Sequence, residues 1–530
     1  MSKDLRFLPS GSDSFLVELA DLPITLTLFD ALQSAELEGV REIIPGARTI
    51  MVRFDRWLTD HTKLANQIAA LDLSVSNTRS GEQFEIPVTY DGEDLGDVAA
   101  FLNCSVEDVI RRHTQATYTV AFTGFTPGFA YMTCDDPGFD VPRRKSPRVK
   151  IPAGSVALAG KFGGIYPSDS PGGWQLLGTT PLAMWDTTRE RAALLAPGDR
   201  VCFRDMASGG TIAVSKPSAA APIHTQKAEG LLVTRADRPV LFQDMGRPGL
   251  ASQGVSESGA LDRIAMQEAN HCVGNPHDTA VIEISFGSFA FKTDRPVTLA
   301  VTGAPCPLTI HTPEGQSVTA SFAQPIALNA GDELSLAIPS EGMLSYLALR
   351  GGFDVEPVLG SASRDTLAKI GPSPVVEGDI LAPANRPALA VSSKENAQRR
   401  LPRAGETVTL DIVLGPRTDW FTRQGLETLT SQDWDVTPQS SRVGMRLAGA
   451  NAIERAINDE LPSEGTALGA IQVPHTGQPV LFLADHPLTG GYPVIGVVAH
   501  HHLDLAGQIP IGARIRFNPI TAFEPLEVIA

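Results

Sequence analysis

The segment PRRKSPRVKIPAGS gathers Arg143, Arg144, Lys145, Arg148 and Lys150 within eight residues of an otherwise acidic chain. Prolines at 142, 147 and 152 forbid a regular helix there, so these cations sit on a shaped loop. Guanidinium forks match carboxylate and phosphate, and a positive island in a negative field concentrates small anions. Ordinary solvated surface, with Asp135, Asp136 and Asp140 as partners, is the alternative reading. Just upstream, His113 falls on the apolar stripe Val106, Val109, Ile110, His113 at helical spacing. It is either a core histidine satisfied by a backbone partner or a general acid/base facing a cleft. Between the two lies TGFTPGFAYM, Thr123 to Met132, whose glycines and Pro127 rule out a regular helix or central strand. It reads as a loop closing a barrel or as a cleft wall lined by Phe125, Phe129 and Tyr131.

Other candidates are more scattered. GSVALAGKF departs from a phosphate loop, having five residues between its glycines and Phe162 after the lysine. Lys161 remains a candidate to reach a ligand from a barrel rim, as does Tyr166. In FQDMGRPGLASQGVSESGALD, Asp244 and Arg247 occupy a tight turn that a salt bridge would explain, and Asp262 marks a helix start. Their density with Gln243 and Glu283 suggests a polar cleft. The run His500 to His502 lacks the spacing that converges on one ion, and no HExxH or cysteine set accompanies it, so no metal site is expected.

The elements that must position these residues come from patterning. A chain of 530 residues exceeds one core, so two to four domains are expected. Short alternating runs such as VTLAVTG and LSLAIPS, with 48 glycines and 40 prolines, predict a mixed α+β, β-rich fold. DRWLTDHTKLANQIAALDL and SVEDVIRRHTQ read as helices, the second opened by Ser105 with Asp108 completing a capping box. SKPSAAAPIHTQKAEG, residues 215–230, reads as a linker. On its two sides the chain repeats itself: GGWQLLG (172–178) with GGYPVIG (490–496), PGDRVCF with IGARIRF, and GSVALAG with GAIQVP, in the same order. Each half is therefore expected to carry a barrel of one design. The expected divisions are an α/β subdomain at 1–85, a barrel at 86–214, the linker, and a second half at 231–530 with its own barrel.

A formal charge of −17 argues against nucleic acid or an acidic membrane surface as partner. Five scattered cysteines without a C-x-x-C pair fit reduced thiols, the start has no apolar leader, and no run reaches membrane-spanning length; a cytoplasmic location is expected.

Taken together, IPVTYDGEDLGDVAAFLNCSVEDVIRRH, GFTPGFAYM, PRRKSPRVKIPAGSVALAG and IYPSDSPGGWQLLG resemble the B subunit of bacterial 5-oxoprolinase, the Kip-inhibitor-like or allophanate hydrolase subunit 1 family. FQDMGRPG, SGALD, LALRGGFDV, LGSAS, SSRVGMRL, GAIQVP and GQPVLFLAD resemble its C subunit, or allophanate hydrolase subunit 2. The resemblance implies two cyclophilin-like barrels, as in the carboxyltransferase region of urea carboxylase. It implies ATP-dependent opening of 5-oxo-L-proline to L-glutamate with a separate A subunit, ATP bringing magnesium as its counter-ion. The chain has no biotin-attachment A-M-K-M motif and lacks the Gly/Ser-rich amidase signature of allophanate hydrolysis. It reads GKFGG, GTTP and LGSASRDT where the family commonly reads GKQTG or GQQTG, GRTP and the LGSRST type. On this reading His113, Lys161, Tyr166 and Asp244 are the catalytic candidates, and Arg143, Arg144, Arg148, Arg247, Phe125, Phe129 and Gln472 bind a small anionic amide or phosphate. Two alternatives stand beside it: a carboxyltransferase-like enzyme for urea or another small amide using a separate biotin carrier, and a Kip-type regulator of a histidine kinase. The sequence leaves the copy number, monomer or homo-oligomer, open.

Overall fold

The computed structural model describes residues 5–73, 81–136, 138–144, 146–208, 229–392 and 399–528. Lys145 and most of the expected linker lie outside these residues. The fold is β-rich, with few helices, as patterning required.

The internal repeat is realised strand for strand. The first barrel runs Gln175–Thr179, Ser155–Ala159, Phe162–Ile165, Ala130–Cys134, Thr117–Thr123, Arg200–Asp205, Gln83–Val88. The second is a closed barrel running Val494–Val498, Ala470–Gln472, Val480–Phe482, Gly444–Ala448, Trp434–Val436, Arg514–Pro519, Thr407–Leu414. Position by position the two orders are the same. Each has one parallel pair, Gln83–Val88 with Arg200–Asp205 and Thr407–Leu414 with Arg514–Pro519. In the first barrel the amides and carbonyls of Thr89 and Thr179 exchange two bonds of 2.8 Å, drawing the sheet's two edges together. Each barrel also carries a two-stranded ribbon, Arg148–Ile151 with Ser170–Gly172 and Glu464–Gly465 with Thr489–Gly490. Each places a helix, Val106–Gln115 or Arg423–Ser431, between its first and second strands. The first barrel begins at Gln83, slightly before the expected division.

Helix Val106–Gln115 starts where Ser105 Oγ accepts the Asp108 amide at 3.1 Å. Helix His61–Ala69 is shorter than its apolar pattern, because Asp60 caps it by accepting the Lys63 amide at 2.9 Å; Leu64 and Ile68 face the core.

Between the barrels in sequence lies a sandwich that patterning did not separate from the second half. A six-stranded and a five-stranded sheet enclose Phe289, Phe291, Leu334 and Leu347. Helix Arg263–Val273 covers the outer face of the five-stranded sheet, started by Asp262.

The N-terminal four-stranded sheet is the joint of the molecule. One face packs on its own helices through Phe15, Leu28 and Leu64. Its other face, through Leu8, Leu16, Ile44 and Met51, packs on Ala470, Phe482 and Val497 of the second barrel. A backbone bridge between Phe7 and Leu526 ties the two ends of the chain together. All five cysteines are free, and among the described residues no helix is long and apolar enough to cross a membrane.

Candidate active site

A cavity of about 2100 Å³ opens where the two barrels face each other. Its first wall is aromatic. Phe129 is the hub, with ring centroids 5.5 Å from Phe125, 5.0 Å from Tyr131, 5.3 Å from Tyr166 and 5.3 Å from Trp174, all edge-on. Such contacts are the favoured arrangement of aromatic quadrupoles and make the wall stiff.

TGFTPGFAYM builds this wall and pins it to the second half. Phe125 has φ 64, held by its amide donating to Thr489 Oγ1 at 3.0 Å. Thr123 Oγ1 donates to the carbonyl of Ser252 at 2.9 Å, and the Gly128 amide donates to Gln253 O at 3.0 Å. Gly124 has no room for a side chain: a Cβ would lie 2.5 Å from Thr489 Oγ1. The segment is therefore both a barrel loop and a cleft wall.

The cations divide by position. Lys161, exposed at the turn after strand Ser155–Ala159, lines the cavity with no ion-pair partner among the described residues. Arg143 lines it too and reaches across to Glu460 of the second half at 3.0 Å. Arg144 borders the cavity but binds Asp94. Arg148 does not line the cavity: its guanidinium grips Asp94 with two 2.8 Å bonds and meets Glu93 at 2.9 Å. Asp94 also accepts the Leu176 amide at 2.8 Å. Burial pushes the Asp94 carboxyl up, but the Arg148 fork and the amide outweigh it and hold it below its ordinary value. Arg148 thus belongs to a structural clamp, and Lys150 pairs with Asp169 at 2.8 Å.

His113 does not face the cavity. It is fully buried inside the first barrel, stacked on Phe203 at 4.3 Å, with Nδ1 2.8 Å from Tyr90 Oη. Burial lowers its pKa to about 3, so it stays neutral. Of the stripe on which periodicity placed it, Val109 and His113 are buried and Val106 and Ile110 partly so, and Val109 packs on Leu95, Val98, Leu158 and Leu177. Tyr166 is at the cavity, nearly buried, with burial holding its phenol well above the ordinary value.

The second wall is polar. Gln472 lines it, with Nε2 donating to Tyr492 O at 3.1 Å. Tyr492 stands edge-on to His475 at 5.5 Å, and the Arg455 guanidinium lies 5.8 Å from its ring. Arg446 lines the same wall, exposed and without an ion-pair partner among the described residues. His475, Tyr492 and Arg446 are not among the sequence candidates, although Arg446 falls within SSRVGMRL and Tyr492 within GGYPVIG, where it matches Trp174 of the first half.

Asp244 and Arg247 lie elsewhere. Asp244 does not pair with Arg247: it accepts Ser361 and Ser363 hydroxyls at 2.6 Å each, the Ala362 amide at 2.7 Å and the Gly246 amide at 2.8 Å. Its acceptor capacity is filled, so it locks two loops together. Arg247 is buried and donates to the carbonyl of Ser363. The expected polar cleft around Gln243 and Glu283 is a sealed network instead. Arg442 donates to Glu283, to Asp485 at 3.0 Å and to Gly259 O at 2.6 Å, while Tyr346 Oη donates to Glu283 at 2.8 Å. Buried beside Asp485, Asp365 is pushed up to about 6. The motifs FQDMGRPG, SGALD, LGSAS, SSRVGMRL and FLAD therefore meet in one buried clamp. Such charges are tolerated inside a protein only when paired and fully hydrogen-bonded.

His501 and His502 sit on a 3-10 turn and do converge, with Asp411; their ligand atoms lie within 4.8 Å of one another, contrary to the expectation from adjacency. His502 Nδ1, however, already accepts the Asp411 amide at 2.9 Å, and Asp411 accepts from Asn518 at 2.7 Å.

Comparison with known proteins follows this division. The family "Carboxyltransferase domain, subdomain A and B" matches residues 253–519, and "Carboxyltransferase domain, subdomain C and D" matches residues 5–195. The C subunit of 5-oxoprolinase from Escherichia coli (strain K12) is 33% identical over 300 residues, covering 56% of this chain and 93% of the relative. The B subunit of 5-oxoprolinase from Escherichia coli O157:H7 is 44% identical over 215 residues, covering 36% of this chain and 92% of the relative. The crystal structure of TTHA0988 superposes with a TM-score of 0.82 at 31% identity, covering 95% of this chain and 99% of that one. The chain belongs to the carboxyltransferase-domain family and joins, in one polypeptide, a region homologous to the B subunit of 5-oxoprolinase and one homologous to the C subunit.

Proposed function

We propose that this protein supplies the fused B and C components of an ATP-dependent 5-oxoprolinase, acting with a separate A-type subunit, and that the inter-barrel cavity is where the small anionic amide is handled. The observation that carries the reading is the cavity itself. It draws one wall from the B-type half and the other from the C-type half, so neither half alone would complete it.

A five-membered lactam is a weak electrophile, and ATP supplies a phosphoryl group for the amide oxygen that makes attack by water easier. The residues present suit that demand. Lys161 and Arg446, without an ion-pair partner among the described residues, offer positive charge to carboxylate or phosphate, and the aromatic wall keeps water from the reacting face. Arg143 reaches the same space once released from Glu460. Strand Ser155–Ala159 is buried throughout, so nucleotide would be held by side chains and loop amides around the cavity and not by a phosphate loop. Magnesium would enter with the nucleotide.

The purified chain, mixed with its A-type subunit, 5-oxoproline and ATP, is expected to release ADP and glutamate only when both proteins are present. Absence of 5-oxoproline-dependent ADP release, or carboxylation of urea from a carboxybiotin carrier in its place, would overturn the reading in favour of the carboxyltransferase alternative that the family name suggests.

A further inference from the structure

Both barrels present the loop glycine, glycine, aromatic to the one cavity: Gly172, Gly173, Trp174 from the first and Gly490, Gly491, Tyr492 from the second. In each pair the first glycine lies close against a neighbouring side chain. A Cβ at Gly172 would lie 2.3 Å from Tyr166 Oη, and one at Gly490 would lie 2.6 Å from Gln472 Nε2. The second glycine meets no close neighbour among the described residues. A Cβ at Gly173 meets no atom nearer than 3.7 Å and one at Gly491 none nearer than 3.5 Å, and neither residue has positive φ. A residue kept bare without a steric or backbone cause leaves its main chain open to close approach by a ligand.

A polar atom waits at each place. Trp174 is 6% exposed and lines the cavity, yet its indole N–H donates to no described residue. Gln472 is 7% exposed, and while its Nε2 is engaged, its Oε1 accepts from no described residue. The first barrel thus offers a donor, with Lys161 also lining the cavity from that side; the second offers an acceptor on strand Ala470–Gln472, next to Tyr492 through the Gln472 Nε2 bond, with Arg446 and His475 also lining the cavity from that side. The volume, about 2100 Å³, exceeds the roughly 300–1,000 Å³ of a pocket for one small ligand.

We propose that the cavity seats two reactants at once, one on each repeat: a small cyclic amide bearing a carboxylate at Gly173 and Trp174, and an adenine nucleotide at Gly491 and Tyr492. The amide's oxygens accept from the Trp174 N–H and pair with Lys161; the exocyclic amine of the base donates to Gln472, the ring stacks on Tyr492, and the phosphates meet Arg446. The assignment of these two ligands rests on the oxoprolinase reading above.

The test uses the full chain with its A-type subunit, and the variants Gly173→Ala and Gly491→Ala, whose methyl groups the fold accommodates; unchanged unfolding midpoints verify this. Gly173→Ala is expected to raise KM for 5-oxoproline about tenfold and leave KM for ATP within about twofold, and Gly491→Ala to do the reverse. Wild-type KM values in both variants, or equal rises of both constants in each, would overturn the two-seat arrangement. Should the wild-type assembly show no turnover of 5-oxoproline, the parent reading falls, and the seats are then judged by fluorescent mant-ADP titrated into the chain alone. Binding weakened about tenfold by Gly491→Ala and untouched by Gly173→Ala sustains the nucleotide seat; no binding to wild type, or equal binding to all three proteins, overturns it.

Discussion

The two barrels share strand order, the parallel closing pair, the ribbon and the helix between first and second strands, yet they handle charge in opposite ways. In the first, cations crowd an outer proline-rich loop, where Arg144 and Arg148 hold Asp94, while Lys161 at the rim has no ion-pair partner among the described residues. In the second, Arg442 is sunk with Glu283 and Asp485 against the sandwich, while Arg446 lines the cavity. The barrel is thus a common frame, and the two halves differ in where they place their charges. A charged residue in a conspicuous motif is as often part of the frame as part of the site.

That contrast is broken or sharpened by graded substitutions. Arg442→Leu strands two buried carboxylates and is expected to cost about 3–5 kcal/mol in urea unfolding; a loss under about 1 kcal/mol would show the clamp is not what joins barrel to sandwich. Lys161→Met removes a charge that has no ion-pair partner among the described residues, so kcat/KM should fall on the order of 10²-fold with the unfolding midpoint unchanged. Equal activity would remove Lys161 from the site. Arg148→Ala is expected to do the opposite, costing about 1–3 kcal/mol of stability while KM for 5-oxoproline stays near wild type, since Arg144 remains on Asp94. A rise in KM with intact stability would return Arg148 to the substrate.

The smallest effect is a pH slope. His113 is depressed from 6.5 to about 3 and His486 from 6.5 to about 4, both chiefly by burial. Folded chain refuses protons that the unfolded chain accepts, so the stability these groups leave intact above pH 6.5 is lost as pH falls toward those values. In His113→Phe the decline of the thermal midpoint below pH 6.5 should be shallower; an unchanged decline would mean the ring is not the proton-refusing group assigned here.

The frame was largely legible in the chain. The matched order of GGWQLLG and GGYPVIG on the two sides of the linker points to two barrels of one design, and Ser105 and Asp262 point to helix starts. Phe125, Phe129 and Tyr131 were legible as a wall because a glycine- and proline-broken loop leaves aromatics no regular element to pack in. What failed was long-range pairing. Arg148 looks like an anion hook until Asp94, 54 residues upstream, is placed against it. Helical periodicity put His113 on a buried face but does not say whether that face meets core or cleft. Asp244 and Arg247 looked like partners by proximity, whereas Asp244 takes two serines more than 100 residues away. The union of the N-terminal sheet with the second barrel leaves no trace in local pattern, because Met51 and Val497 are each just another strand apolar residue.

The most direct test of the shared cavity is hydrogen exchange on the chain assembled with its A-type subunit, with and without 5-oxoproline and ADP. Protection is expected on both walls together, in residues 124–131 and 160–174 of the first half and 472–492 of the second. Protection confined to one half, or centred on the Asp244 loops, would contradict a site built between the barrels.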